Sequence, residues 1–103
     1  MSETVDEFLT GLTNKNTQST YRSSLTKLEC FLTEIGRPLD ETAIEASIIN
    51  DVIAFVASLR DQHSEQSVNV HITAVSAFFL WLCQQEQVDF GPGDFMALKE
   101  RLT

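Results

Sequence analysis

The sequence contains few of the residues that interrupt regular structure: among 103 residues there are 2 prolines and 4 glycines. Together with 43% hydrophobic residues, this composition excludes a disordered chain and predicts a single domain around one hydrophobic core. Long hydrophobic runs are also absent. The longest, residues 77–83, has seven residues, whereas a membrane-spanning helix needs about 20. The sequence therefore predicts a protein with no membrane partner.

Cysteine is scarce, and so are the motifs of common catalytic sites. Cys30 and Cys83 lie far apart and belong to no cluster with metal-ligand spacing, so we predict two reduced thiols in a cytoplasmic protein and no metal site. The sequence contains no glycine-rich phosphate loop, HExxH motif or CxxC motif. Its first residues are acidic rather than hydrophobic, which argues against a secretory signal. We therefore expect neither a cofactor nor catalysis by this chain.

Basic residues are few, with 7 against 15 acidic ones and a net charge of −8. Their distribution is uneven, because residues 14–28 contain Lys15, Arg22 and Lys27 and no acidic residue, a charge of +3. The other 88 residues contain four basic and fifteen acidic side chains, a charge of −11. An acidic protein is repelled by nucleic acid at long range, but this distribution permits one basic face on an acidic molecule.

Hydrophobic residues recur at intervals of three and four along most of the chain, which is the period of an α-helix. Four main helices are predicted, over residues 4–11, 17–35, 47–61 and 65–87, with a short helical segment over residues 94–102. The first is predicted to begin with a capping box at Thr4, and the second to be capped by Asn16 or Thr17 and to stop at Gly36. The sequence Gly-Pro-Gly at residues 91–93 predicts that the compact body comprises residues 1–90.

The helical pattern of hydrophobic residues also predicts the surroundings of five individual side chains. Tyr21 lies on the hydrophobic stripe of the second helix and is predicted to pack in the core. His71 is predicted to be a histidine at the edge of the core rather than a ligand, and His63 to be solvated in a turn. Cys83 should lie near the core, whereas Cys30 should be exposed.

The two longest predicted helices each carry a polar stripe in the N-terminal half. On the second helix it consists of Ser19, Arg22, Ser23 and Thr26, and on the fourth helix of Gln66, Asn69, Thr73 and Ser76. Such side chains contact phosphates and base edges in protein–DNA complexes. Because every surface helix has a polar face, these stripes leave open a DNA-binding domain, a helical protein-interaction module without DNA binding and, least favoured, a small enzyme.

Three segments resemble the tyrosine recombinases, or phage-integrase family. Residues 17–32 (TQSTYRSSLTKLECFL) are similar to the pattern T-x-x-T-Y-x-x-x-L-x-x-F-x-x-F/Y of that family. Residues 52–59 (VIAFVASL) resemble its third helix. Residues 67–82 (SVNVHITAVSAFFLWL) resemble its fourth, written L-S-A-L-R-x-F-F-x-W/Y-L. The resemblance covers about residues 4–90 and concerns the N-terminal, SAM-like core-binding domain.

This resemblance implies an all-α fold, a compact orthogonal bundle of four main helices followed by a short C-terminal helical segment. It implies a domain that forms half of a clamp around double-stranded DNA at a recombination site. The other half would be the catalytic domain of the same parent chain, with its Arg/His cluster and nucleophilic tyrosine, and residues 91–103 would lead towards it. Tyr21 would then be a packing residue, not the nucleophile. Protomers could form a homo-oligomer on DNA through the first helix or residues 94–102.

Carried over position by position, the resemblance also implies a set of DNA-facing residues. These are Lys15, Thr17, Ser19, Arg22, Ser23, Thr26 and Lys27 on the second helix, and Gln66, Asn69, Thr73 and Ser76 on the fourth. Lys15, Arg22 and Lys27 would contact phosphates. Gln66 and Asn69 could read base edges, because Asn and Gln pair bidentately with adenine. Since the chain is acidic overall, we expect the isolated domain to bind DNA weakly.

Overall fold

The structure is a computed structural model that describes residues 3–37, 44–45, 47–85 and 88–102. These residues form five helices: α1 (Glu3–Thr10), α2 (Lys15–Glu34), α3 (Ile48–Gln62), α4 (Glu65–Leu82) and α5 (Pro92–Leu102). In the described part of the chain β pairing is confined to an isolated bridge between Glu45 and Asp89. The predicted all-α class is confirmed. The predicted extension of the fourth helix to residue 87 is too long, since α4 ends at Leu82, and residues 86–87 lie outside the described residues.

The start of α2 differs from the prediction. Its N-cap is Asn14, whose side-chain oxygen accepts hydrogen bonds from the backbone N–H groups of Asn16 at 2.9 Å and Thr17 at 3.2 Å. The prediction of a cap at Asn16 or Thr17 is therefore wrong. Asn is as good an N-cap as any residue, so a cap at Asn14 starts the helix two residues earlier and brings Lys15 into its first turn.

The C-terminal end of α2 is a Schellman motif. Gly36 has a φ of +79°, in the left-handed region that favours glycine. The Arg37 N–H donates to the carbonyl of Leu32 at 2.8 Å, and the Gly36 N–H donates to that of Thr33 at 3.0 Å. The predicted stop at Gly36 is confirmed. Just beyond it, the Arg37 guanidinium pairs with the carboxylate of Asp51 and so connects the end of α2 to α3.

The first helix is held against α2 by a side chain of the second helix. The Gln18 amide donates to the carbonyl of Leu9, which also accepts from the Leu12 N–H at 3.1 Å, and to that of Leu12, at 2.7 Å and 2.9 Å, and so adds hydrogen bonds where α1 ends. The capping box predicted at Thr4 is wrong, because α1 already includes Glu3 and Thr4 is buried within its first turn.

The fourth helix is the centre of the bundle, since it packs against each of the other four. Phe78 is fully buried, and its ring lies 5.5 Å from that of Phe8 in an edge-to-face arrangement and 5.4 Å from that of Phe79. The hydrophobic C-terminal half of α4 is largely enclosed by the other helices, and Phe78, Phe79 and Leu82 are fully buried. Leu80 departs from this pattern, because 46% of its surface is exposed.

The fifth helix packs into the same core. Phe95, Leu98 and Leu102 are buried, and α5 contacts both α3 and α4. Pro92 occupies the first helical position, where its missing N–H costs nothing. The sequence predicted that the compact body comprises residues 1–90, but residues 92–102 also pack within it. The division into residues 1–90 and 91–103 as separate domains stays a prediction.

No helix among the described residues is both long enough and apolar enough to cross a membrane.

Candidate nucleic-acid interface

The two helices with the predicted polar stripes are joined by a buried hydrogen bond. Ser24 of α2 and His71 of α4 are 1% and 7% exposed, and the Ser24 Oγ lies 2.7 Å from the His71 Nδ1. Buried polar groups need such a partner, because leaving one unpaired costs about 1–3 kcal/mol. The predicted position of His71 at the edge of the core is confirmed. Ser24 was not predicted, since nothing local in the sequence distinguishes it from Ser23.

The electrostatic surroundings of His71 favour its neutral form. Burial lowers the pKa of His71 below its usual range, and the positive charges of Lys27 and then His63 lower the pKa further. Because the pKa is lower in the folded than in the unfolded state, protons bind preferentially to the unfolded chain. The contribution of neutral His71 to the stability of the fold is complete above about pH 6.5, the ordinary pKa of histidine. It is lost as the pH falls through the lowered pKa of His71 in the folded state.

We therefore expect the His71→Gln variant to lose stability less steeply than the parent chain when the pH is lowered from about 7.5 to about 5.5. Urea unfolding at several pH values would measure this. The matched control is His63→Gln, which should keep most of the pH dependence because burial, the largest cause of the shift, is unchanged. Equal pH dependence in the parent chain and in His71→Gln would contradict the expectation.

Most of the predicted DNA-facing side chains are accessible. Nine of the eleven are exposed, and Thr17 and Ser76 are half-buried. Lys15 and Lys27 form no ion pair within the described part of the chain. Arg22 differs, since its guanidinium lies 4.0 Å from the carboxylate of Asp6 on α1, with both side chains 54% exposed. Such an exposed pair is worth at most about 1 kcal/mol, so Arg22 can exchange Asp6 for another anion.

Some hydrogen-bond donors of the polar stripes on α2 and α4 already donate to a carbonyl of their own helix, and others do not. The hydroxyl of Thr26 donates to the carbonyl of Arg22 at 2.7 Å, and that of Thr73 donates to the carbonyl of Asn69 at 2.9 Å. Because phosphate oxygens are acceptors, these two threonines would have to break a bond within their own helix to contact one. The side chains of Ser19, Ser23, Gln66 and Asn69 have no such partner within the described residues.

A cleft of about 600 Å³ lies beside the start of α4. Its polar lining comes from Arg60, His63, Glu65 and Asn69, and its apolar lining from Val68, Ile72 and Leu102. Asn69 is the one predicted DNA-facing residue among them. Arg60 and His63 were not predicted as site residues; Arg60 lies in the last turn of α3, and His63 is the C-cap of α3, directly before the Ser64 N-cap of α4.

A family model of the phage integrase N-terminal SAM-like domain matches residues 5–86, or 82 of the 103 residues. The chain belongs to this family. The match confirms the resemblance to tyrosine recombinases, and it suggests a role in site-specific recombination. No curated protein and no solved structure matches the chain.

Within this integrase SAM-like domain, the contacts locate three of the predicted residues relative to neighbouring helices. Lys27 is close enough to α4 for its charge to act on His71, and Asn69 lines the cleft on α4. Arg22 instead faces Asp6 of α1. The predicted DNA-facing residues of α2 therefore extend from the α1 side to the α4 side of the domain.

The SAM-like domain of integrases is not their catalytic domain, and the surroundings of Tyr21 agree with a structural role for this side chain. Tyr21 is half-buried, and its ring stacks on that of Phe8 with a centroid distance of 6.2 Å and an angle of 6°. The predicted packing role of Tyr21 is confirmed. In the part of the chain that the structure describes, no three His, Cys, Asp or Glu side chains form a group suited to a metal ion.

Proposed function

We propose that this domain binds double-stranded DNA at the site on which a tyrosine recombinase acts, and that the strand cleavage belongs to a separate catalytic domain of the same parent protein. The observation that carries the proposal is the acid-free part of α2, residues 15–28. It exposes Lys15 and Lys27, which form no ion pair with any described residue, on a molecule that is otherwise acidic. Family membership supports the same role.

The interface would use two kinds of contact. Lys15, Arg22 and Lys27 on α2 would contact backbone phosphates, which fix position but carry no sequence information. Gln66 and Asn69 on α4 would read base edges, since among the described residues neither side-chain amide has a hydrogen-bond partner. The Ser24–His71 hydrogen bond holds the two helices together, so phosphate contacts by α2 would fix the position of α4.

The dependence of DNA binding on salt tests this proposal. With two or three phosphate contacts, the logarithm of the association constant should fall with the logarithm of salt concentration with a slope of about −2 to −3. Lys15→Ala and Arg22→Ala should each make the slope shallower by about 1. Asp6→Asn should instead strengthen binding, because it releases Arg22 and removes one negative charge.

Fluorescence anisotropy with a short labelled duplex, from about 50 to 200 mM salt, would supply these values. Arg101→Ala is the charge-matched control, since Arg101 lies on α5 and donates to Asn50 of α3. If the parent chain fails to bind duplex DNA even at the lowest salt concentration, the proposal is wrong for the isolated domain.

A second candidate function is a helical protein-interaction module without DNA binding. It is favoured by the net charge of −8 and by the exposed hydrophobic side chains Ile35, Val70, Leu80 and Met96. This function predicts that Leu80→Ser or Met96→Ser weakens binding to a protein partner, whereas Lys15→Ala does not. Assembly of several copies on DNA would also use such side chains, and it would appear as cooperative binding to a duplex.

A further inference from the structure

Three basic side chains from different parts of the fold surround the start of α4; we call Lys27, Arg60 and His63 the basic corner. Arg60 and His63 line the same cleft. The ring of His63 lies 6.1 Å from that of His71, and Lys27 is near enough to His71 for its charge to lower the pKa of that imidazole. Lys27 lies one helical turn after Ser24, whose Oγ is 2.7 Å from the His71 Nδ1, so Lys27 and His63 both lie near His71.

The basic corner has little compensating negative charge. Lys27 and Arg60 form no ion pair within the described residues, and Glu65 is the acidic side chain that lines the cleft. Arg60 makes one long hydrogen bond, 3.4 Å from its Nη2 to the carbonyl oxygen of Leu102. Like charges held close together repel one another, and a bound anion relieves that repulsion. In a chain with a net charge of −8, such a group of cations indicates an anion-binding site.

We propose that the basic corner binds one backbone phosphate of duplex DNA, so that the interface continues from α2 across the turn between α3 and α4. The inference rests on the proposed function, which supplies duplex DNA as the ligand. The Arg60 guanidinium suits two oxygens of one phosphate, and the Lys27 ammonium acts as a point charge. His63 donates from its ring N–H, and Asn69 at the same cleft then faces the adjoining groove.

The test measures duplex affinity for variants of the corner. Arg60→Ala is expected to weaken binding about threefold or more near physiological salt and to make the salt slope shallower by about 1. Arg37→Ala removes the same charge at the other end of α3, where Arg37 pairs with Asp51, and should leave both values near those of the parent chain. Glu65→Gln should tighten binding, because it removes the negative charge that lines the cleft. Equal affinities for Arg60→Ala and Arg37→Ala would overturn the proposal.

A readout without DNA separates this inference from the proposed function. Titration of the parent chain with inorganic phosphate, followed by NMR of the imidazole protons, should shift the resonances of His63, and Arg60→Ala should weaken that response. If duplex DNA does not bind but phosphate shifts His63, DNA binding is wrong and the corner is an anion site for another ligand. If duplex DNA binds and phosphate leaves His63 unaffected, the corner does not bind phosphate and the role of α2 is retained.

Discussion

Replacing Phe78 by alanine is expected to lower the free energy of unfolding by about 3–5 kcal/mol. Phe78 is fully buried on α4, and its ring contacts those of Phe8, Phe79 and Trp81. Truncation removes these contacts and leaves a cavity between α1 and α4 that the surrounding helices fill incompletely. Since domains of this size are stable by only about 5–15 kcal/mol, much of the total stability is lost.

Urea unfolding followed by circular dichroism would measure the change, with Leu80→Ala as the control. Leu80 lies two residues further along the same helix but is 46% exposed, so its truncation should change the free energy of unfolding by no more than about 0.5 kcal/mol. Similar values for the two variants would show that the packing around Phe78 is not as described.

The Leu98→Ala substitution on α5 is expected to cost about 2–5 kcal/mol. Leu98 is fully buried, and the helix that carries it packs against both α3 and α4. If α5 is part of the core, the whole domain should unfold in one transition at a lower urea concentration. If α5 is instead a loosely attached segment, the midpoint of unfolding should stay where it is.

Met96→Ala is the matched control for Leu98→Ala, because Met96 lies on the same helix and is 55% exposed. It should leave the midpoint of unfolding nearly unchanged. Met96→Ala and Leu80→Ala also show how little a surface substitution changes stability. A variant that loses DNA binding should be compared with them, so that weaker binding is not confused with partial unfolding.

The features that sequence predicted well are those set by local patterns. The three-and-four spacing of hydrophobic residues gave five helices in the right order, and Gly36 gave the end of α2 because a left-handed residue is needed there. Local ambiguity explains the errors at helix starts. Asn14 and Asn16 are equally good caps by residue type, and the choice between them depends on packing against α1.

The role of α5 was harder to predict, because Gly91, Pro92 and Gly93 are typical of both a linker and a helix start. In the structure Gly91 is the residue before the helix, and its N–H donates to the carboxylate of Asp94 at 3.0 Å. The carbonyl of Gly91 accepts from the Phe95 N–H at 3.0 Å. This pattern resembles half of a capping box, so Asp94 was the signal that distinguished the two interpretations.

The candidate interface was predictable in its helices but not in its full extent. Polar residues at Ser19, Arg22, Gln66 and Asn69 follow helical spacing and could be found from the sequence. The approach of Lys27 to His71 and of Arg60 to Leu102 depends on how the helices that carry these residues pack. Such contacts join residues more than thirty positions apart, and no spacing rule for a single helix reveals them.

The position of Leu102 determines how far an attached domain could reach. Its side chain lines the cleft and its carbonyl oxygen accepts from Arg60, so a polypeptide joined after α5 would start beside the basic corner. Ten extended residues span at most about 36 Å, which equals the longest dimension of this domain, 36 Å. With a linker shorter than ten residues, a second domain would stay near the basic corner and have a high effective concentration on DNA bound there. It would have little access to the α1 side of this domain.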